Sequence, residues 1–440
     1  RKSNMADEDD ENQNNICFEE IQFFPIASQT NVYGLTTFKE SNSGCNKVLL
    51  ASLKGNVLSI SSRPSAGPSL LSSQNVPFKN LQGADIVSID SIFSSSSGLH
   101  IGVTFIKNGH TNSQKSYLNI YCKETESDIS LESIADTCQS IELDFIPFQL
   151  THTKIANTRL ENPTLFLLSG GDQKIHMFVK DSINEQFVEK KVDDYFPEFE
   201  NLCSNVIWMD IYIDKTNERR ITCFACQNGL LKLIVANKNE IIKEWSSVHD
   251  GPVSSVRIFT IEANPYSISD ELKDILELPK ENKDDSKTAN NPVYLLVTGV
   301  IEPSVIYEDI LNNGFSKLSI LPDSDQYDCV VCSYISDVDW DGTNEILLGT
   351  YGQELLVYKL NKECNESCEE KLQATLCWTK SFAQPIYSIN YVDLTNDGVR
   401  ELIVASSKGL HVLQHNFTEI TTRFQEEFSY KGEEDESSEN

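Results

Sequence analysis

A two-part β pattern repeats seven times along this 440-residue chain, and the repetition limits the possible folds more than any other feature. One part is an apolar run, a small residue, a turn Gly or Asn, and a second apolar run. It reads NKVLLASLKGNVLSI from Asn46, GLHIGVTFIKNG…YLNIYC from Gly98, PTLFLLSGGDQKIHMF from Pro163 and RRITCFACQNGLLKLIV from Arg219. It returns as PVYLLVTGVIEPSVIYED from Pro292, EILLGTYGQELLVYKL from Glu345 and ELIVASSKGLHVLQH from Glu401. Each is a hairpin, because β-formers flank a turn. Ahead of each stands one apolar strand with a small residue near its middle, at 31–38, 85–93, 146–155, 205–213, 251–259, 329–339 and 384–394.

A strand followed by a hairpin, seven times over, counts blades. The expected fold is all-β, a single seven-bladed β-propeller with small residues where inner strands crowd the axis. The last hairpin needs an outer partner. Segment 16–24, ICFEEIQFF, supplies β-formers before the first inner strand and is expected to close the ring against 384–415. The propeller then spans 16–423. The lone Trp340-Asp341 dipeptide has no Gly-His partner, so the WD40 subtype is unsupported.

Charge sets limits on partners. The chain has 36 Lys+Arg against 66 Asp+Glu, a net charge of −30. Much of it falls in an acidic N-terminal tail (1–15), an acidic C-terminal tail (424–440) and a polar insertion at 263–292. Within the insertion, Ser269 can cap a short helix through Leu278, stopped by Pro279. Such a balance argues against gripping nucleic acid or an anionic bilayer. No apolar run approaches the roughly 18 residues of a membrane-spanning helix. The acidic start is unlike a secretory or transit leader, and the C-terminus carries no lipidation Cys. A cytoplasmic protein without direct membrane insertion is expected.

The 12 cysteines do not form an obvious framework. Cys223/Cys226 and Cys329/Cys332 have CxxC spacing but lie in β-like runs, where residues three apart point to opposite faces. Cys364/Cys368, in a polar loop, is the pair that could chelate. The seven histidines form no HExxH pair, and no GxSxG elbow, Walker loop or GxGxxG fingerprint occurs. No enzyme is expected.

Two acidic loops are the candidate sites. Asp337-Val-Asp339-Trp-Asp341-Gly342-Thr-Asn-Glu345 precedes one hairpin, and Asp393-Leu-Thr395-Asn-Asp397-Gly398-Val-Arg-Glu401 the next. Oxygen ligands at positions 1, 3, 5 and 9 around a Gly turn can wrap a hard cation such as Ca²⁺. The alternative is that these side chains hydrogen-bond their own turn. An EF-hand is excluded, since Leu348 stands at position 12 and no helices flank the loop. Thr395 replaces a carboxylate in the second copy. No cofactor is expected, with calcium the one candidate: Asp337, Asp339, Asp341 and Glu345 first, then Asp393, Asp397 and Glu401. The spacing on a strand–loop–strand resembles the FG-GAP repeat of integrin-type propellers.

The segments QTNVYGL, ASLKGNVL, ADIVSID, GVTFIK, DFIPFQL, LPDSDQYD, GTYGQELL, YVDLTNDG and SSKGLHVLQH, spread over 29–415, resemble the kaptin family. The resemblance implies a non-enzymatic scaffold subunit of the KICSTOR complex. Its partners would be a second FG-GAP propeller subunit, a large scaffold subunit and, through the assembly, a GATOR-type repressor of Rag GTPases. It also implies recruitment to the lysosomal surface, where the assembly restrains the mTOR kinase complex when amino acids are scarce. A second implied role is binding actin filaments in lamellipodia and stereocilia. Actin is acidic, so a −30 chain would need a local basic patch, and the clearest basic cluster is Arg219-Arg220. A calcium-binding propeller enzyme stands third.

Overall fold

The computed structural model describes residues 16–416, apart from 40–43, 63–70, 95–97, 109–113, 124–130, 132–133, 135–136, 156–164, 182, 215–218, 238–239, 264–291 and 365–369. Both acidic tails, the expected 269–278 helix and Cys368 lie outside the described residues.

Among the described residues, twenty-eight strands form seven four-stranded antiparallel sheets, the blades. Blade 1 is β2 (Leu35–Lys39), β3 (Asn46–Ser52), β4 (Asn56–Ser62) and β5 (Leu71–Val76). Blade 2 is β6 (Ala84–Ser94), β7 (Gly98–Asn108), β8 (Gln114–Lys123) and β9 (Cys138–Leu143). Blade 3 is β10 (Pro147–Thr153), β11 (Leu165–Gly170), β12 (Ile175–Lys180) and β13 (Phe187–Lys190). Blade 4 is β14 (Val206–Ile213), β15 (Arg219–Cys226), β16 (Leu230–Asn237) and β17 (Glu240–Val248). Blade 5 is β18 (Val253–Phe259), β19 (Tyr294–Gly299), β20 (Val305–Tyr307) and β21 (Leu318–Ile320). Blade 6 is β22 (Val330–Ser336), β23 (Glu345–Thr350), β24 (Glu354–Cys364) and β25 (Glu370–Ser381). Blade 7 is β26 (Ile386–Val392), β27 (Glu401–Ser406), β28 (Gly409–His415) and, from the other end of the chain, β1 (Phe18–Pro25).

The apolar runs become second strands because blades stack face to face. β11, β23 and β27 are buried at every position, which a strand covered on both sides requires. Seven apolar clusters fill the seven interfaces between neighbouring blades. Fully burying each such side chain contributes about 1.5–3 kcal/mol. Cys223 packs in the blade 4/5 cluster and Cys226 in the blade 3/4 cluster, so that pair straddles the sheet.

Six of the seven inner strands shift register near their starts, as between Ile86 and Ser88 or Val253 and Ser255. Such bulges raise local twist and re-aim the strand. They bring small buried residues to the axis: the Ser88 hydroxyl meets Thr104 at 2.5 Å, and that of Ser255 meets Ser333 of the next blade.

The ring closes as expected. β1 pairs antiparallel with β28, from Phe18 opposite His415 to Pro25 opposite Gly409. Phe18 and Phe24 are buried, and Phe24 joins the cluster that unites blades 7 and 1. A side chain at Gly409 would collide with the Phe24 carbonyl, so the crossing needs glycine there.

Candidate functional site

The two acidic loops occupy equivalent places in adjacent blades, joining inner to second strand in blades 6 and 7. Their backbones match. Trp340 and Asn396 at position 4 have φ of 64° and 60°, and Gly342 and Gly398 at position 6 have 87° and 91°. The second pair sits where side chains are disfavoured, which is why both loops carry Gly. The position-1 carboxylates accept from those glycines, Asp337 Oδ2 from Gly342 N and Asp393 Oδ2 from Gly398 N, both at 3.1 Å. At position 5, Asp341 accepts from Thr343 N (2.8 Å) and Asp397 from Val399 N (2.9 Å). The position-9 glutamates reach back to position 2, Glu345 Oε2 to Val338 N (2.8 Å) and Glu401 Oε2 to Leu394 N (2.7 Å). Both loops are hydrogen-bonded turns.

They part at position 3 and at the residue facing position 9 across the hairpin. In blade 7 the Thr395 hydroxyl donates to Glu401 Oε1 (2.8 Å) and Thr395 N to Oε2 (3.2 Å). Gln414 adds bonds to Glu401 (3.4 Å) and Asp397 (3.3 Å), and Asn396 N satisfies Asp393 Oδ1 at 2.7 Å. In blade 6 position 3 is Asp339, and Lys359 holds the place of Gln414. Its ammonium lies 2.6 Å from Asp339 and 2.5 Å from Asp341. Glu345 Oε1 is buried without a hydrogen-bond partner, and Asp337 Oδ1 has none of good geometry, although the Trp340 N–H, placed as that of Asn396 is in blade 7, still favours the Asp337 carboxylate.

The electrostatics follow. Burial, with added repulsion from Asp339, pushes the Glu345 carboxyl up to about 8. Burial, abetted by the neighbouring aspartates, pushes Asp337 up to about 6. Burial pushes Glu401 up to about 7 against the hydrogen bonds from Leu394 and Thr395. Burial also raises Asp393. Asp341 goes the other way: burial is outweighed by the hydrogen bonds from Lys359 and Thr343, which hold it below the usual carboxylate range. Lys359, despite burial, is held above its ordinary value by Asp339 and Asp341.

Each loop is also tied outward. Trp340 Nε1 donates to the Tyr391 hydroxyl of blade 7 at 3.1 Å, and its ring lies 4.6 Å from that of His415 on β28. His415 in turn packs on Phe18 of the closing strand, ring centres 4.2 Å apart. On its other side the 337–345 loop holds the root of the insertion, through Asn344 N to Ile261 O (2.7 Å) and Ala263 N to Gly342 O (2.9 Å). The blade 7 loop docks instead on blade 1, where Asn46 Nδ2 donates to Asp393 O at 2.6 Å.

The ligand-bearing atoms of Asp337, Asp339 and Asp341 lie within 4.8 Å of one another, as do those of Asp393, Asp397 and Glu401. The second group holds all three acids that the spacing singles out; the first leaves out Glu345, the fourth acid the spacing adds to it. The spacing misses Lys359 and Gln414, whose signal is hairpin register: Ile346 pairs with Tyr358 and Leu402 with Leu413, which puts Lys359 and Gln414 next to the two glutamates.

The basic dipeptide is a correction. Arg220 is not part of a surface patch: it is 1% exposed, with Nε and Nη2 on the two oxygens of buried Glu198 at 2.7 and 2.9 Å. Its guanidinium also covers Phe196 at 4.4 Å. Arg219 opens β15 and faces water, whereas Arg220, one step further into a strand buried on both faces, clamps the 3-10 turn Pro197–Phe199 between blades 3 and 4.

A sequence model of the family described as "KICSTOR complex protein kaptin" matches residues 18–425. This chain belongs to the kaptin family. The mouse (Mus musculus) kaptin, a KICSTOR complex protein by its description, is 38% identical over 409 residues, covering 91% of this chain and 89% of its own. Among solved structures, the crystal structure of BBS1N in complex with ARL6DN, soaked with lead, superposes with a TM-score of 0.53. At 10% identity, covering 91% of this chain and 97% of the other, it shares the propeller fold with this kaptin family member.

Proposed function

We propose that this chain is a non-enzymatic scaffold subunit of a KICSTOR complex, which helps bring the GATOR-type repressor of Rag GTPases to lysosomes and restrains mTOR-complex signalling when amino acids are scarce. The observation that carries this reading is the 38% identity to a KICSTOR subunit across nine-tenths of both chains. A propeller suits the role, because each blade edge and inter-blade groove is a rigid surface that can vary separately. Partners would include a second propeller subunit and a large scaffold subunit, and the lysosomal address would come from them. A net charge of −30 would repel an anionic bilayer, and among the described residues no helix is long and apolar enough to cross a membrane.

Direct actin binding is the second reading. Its weakest point is physical: the Arg219-Arg220 cluster offers one exposed arginine, because Arg220 is locked to Glu198. A pull-down from amino-acid-starved cells tests the first reading, with the other KICSTOR subunits expected in stoichiometric amounts. Co-sedimentation with filamentous actin across a salt series tests the second. Recovery with actin and without those subunits would reverse the order.

A further inference from the structure

The face of the ring on which inner strands begin also carries the turns between second and third strands. In blades 1, 3 and 7 those turns hold Lys54, Lys174 and Lys408. In blades 5 and 6 they hold Val300-Ile301 and Tyr351 instead, all exposed, Ile301 at 66%. On the same face Val248, 73% exposed, ends β17. Single exposed apolar side chains are ordinary, but a contiguous group marks a place where something binds.

These residues lie on one strip. A side chain at Gly251 would collide with Ile301, and Val300 N donates to Pro252 O at 3.3 Å, which joins the link 248–252 to the blade 5 turn. Ser304 N donates to the Ser324 hydroxyl oxygen at 2.9 Å, and Tyr351 N to Cys329 O at 2.9 Å. The link 321–329 therefore bridges the turns of blades 5 and 6. The strip is also acidic. Segments 248–253, 299–305, 320–329 and 350–353 hold Asp250, Glu302, Asp323, Asp325 and Asp328 but no Lys or Arg. The four aspartates are exposed, while Glu302 meets His249 at 2.7 Å.

We propose that this strip, from Val248 through Ile301 to Tyr351, is a docking surface for a basic segment of another subunit, one in which Lys or Arg side chains flank apolar ones. The apolar side chains cover Val248, Val300, Ile301 and Tyr351, and the cations meet the aspartates around them, the apolar centre and polar rim of a protein interface. The sign of the charge selects this occupant. A second copy packed face to face would set the same aspartates against one another. The chain's own tails suit the strip no better, since 1–15 and 424–440 are both acidic. The 263–292 insertion is net acidic too, and it leaves from the opposite face, between β18 and β19. Nucleic acid and anionic lipid carry the wrong sign. The proposal rests on the scaffold reading and adds to it a place on the ring and a partner chemistry.

The test titrates the full chain against the remaining KICSTOR subunits, purified without it, at low and high salt. Val248→Ser/Ile301→Ser should weaken binding about tenfold or more at either salt. Asp323→Asn/Asp325→Asn/Asp328→Asn should weaken it about fivefold at low salt and flatten its salt dependence. Asn tolerates the positive φ of Asp323 and Asp328. Ile183→Ser, at an apolar residue 88% exposed on the opposite face, should bind as the wild type does. Circular dichroism confirms that each variant is folded, and amide hydrogen exchange should show 299–304 and 322–328 protected on assembly. If the wild type binds but its strip gains no protection, or either strip variant binds as tightly, the docking surface is overturned and the scaffold reading stands. A wild type that joins no subunit overturns both. A free chain that is a dimer, split by Val248→Ser/Ile301→Ser, would make a second copy the occupant and overturn the proposal as well.

Discussion

The loops of blades 6 and 7 start from one backbone and end in different electrostatic states. Both fold around a Gly at φ near 90° and tie their first and last acids to the turn. In blade 7, Thr395 and Gln414 turn the surplus acceptors inward and the loop is self-sufficient. In blade 6, Asp339 and Lys359 stand at the same two places, giving an ion pair and leaving Glu345 Oε1 buried without a donor. A turn motif therefore fixes a shape, while the residue at position 3 and its cross-hairpin neighbour decide whether its acceptors are met by hydrogen-bond donors or by an ammonium.

The largest expected effect separates the two glutamates. Glu401→Leu strips acceptors from Leu394 N, Thr395 N and the Thr395 hydroxyl, and should cost about 3–5 kcal/mol as buried donors go unmet. Glu345→Leu, measured in EDTA, orphans the Val338 N–H and should cost only about 1–2 kcal/mol. Urea unfolding of both variants checks this. Equal losses would erase the distinction between the loops.

Next comes a pH test of blade 7. Burial raises Glu401 from the ordinary 4.5 to about 7, so the folded chain holds that proton more tightly than the unfolded one. Its contribution to stability is full below pH about 4.5 and is lost as pH climbs to about 7, a swing of about 3 kcal/mol at most. Glu401→Gln should therefore gain on the wild type steadily between pH 5 and 7, on the order of several degrees in Tm. A pH-independent difference would mean that Glu401 is charged throughout.

Smaller effects probe blade 6. Lys359→Met in EDTA leaves Asp339 and Asp341 without their cation and should cost about 1–2 kcal/mol, discounted because Lys359 is partly exposed. Smallest is Trp340→Asn, which gives blade 6 the residue that blade 7 carries at position 4. Asn suits a φ of 64°, but the bond to Tyr391 and the packing on His415 disappear, so a net loss of about 1 kcal/mol is expected. A gain in Tm would show that Trp340 contributes nothing to ring closure.

The sequence discloses the fold unevenly, for physical reasons. Second strands such as β23 and β27 are buried on both faces, so ILLGT and LIVAS are unmistakable apolar runs. Two fourth strands face water: β17 reads EIIKEWSSV with most positions exposed, and β5 reads LSSQNV, buried only at its ends. These two carry no continuous apolar run, and the repeat shows three strands where the blade has four. Other fourth strands do bury apolar side chains: β1 plugs the closure with Phe18 and Phe24, and β25 sends Leu372 and Ala374 into a core cluster. The acidic loops are legible because Asp, Asp and Gly spacing is local. Lys359 and Gln414 come from the far side of a hairpin, where only register gives them away. Arg220 misleads because adjacent arginines look like a patch, whereas only the first stands outside a strand buried on both faces.

That this chain acts by holding other proteins together is tested most directly in cells that lack it. Amino acids are withdrawn and the activity of the mTOR kinase complex is followed by phosphorylation of its substrates. The predicted result is signalling that persists through starvation and is silenced again when the full chain is restored. Normal silencing in the cells without it would contradict the scaffold account.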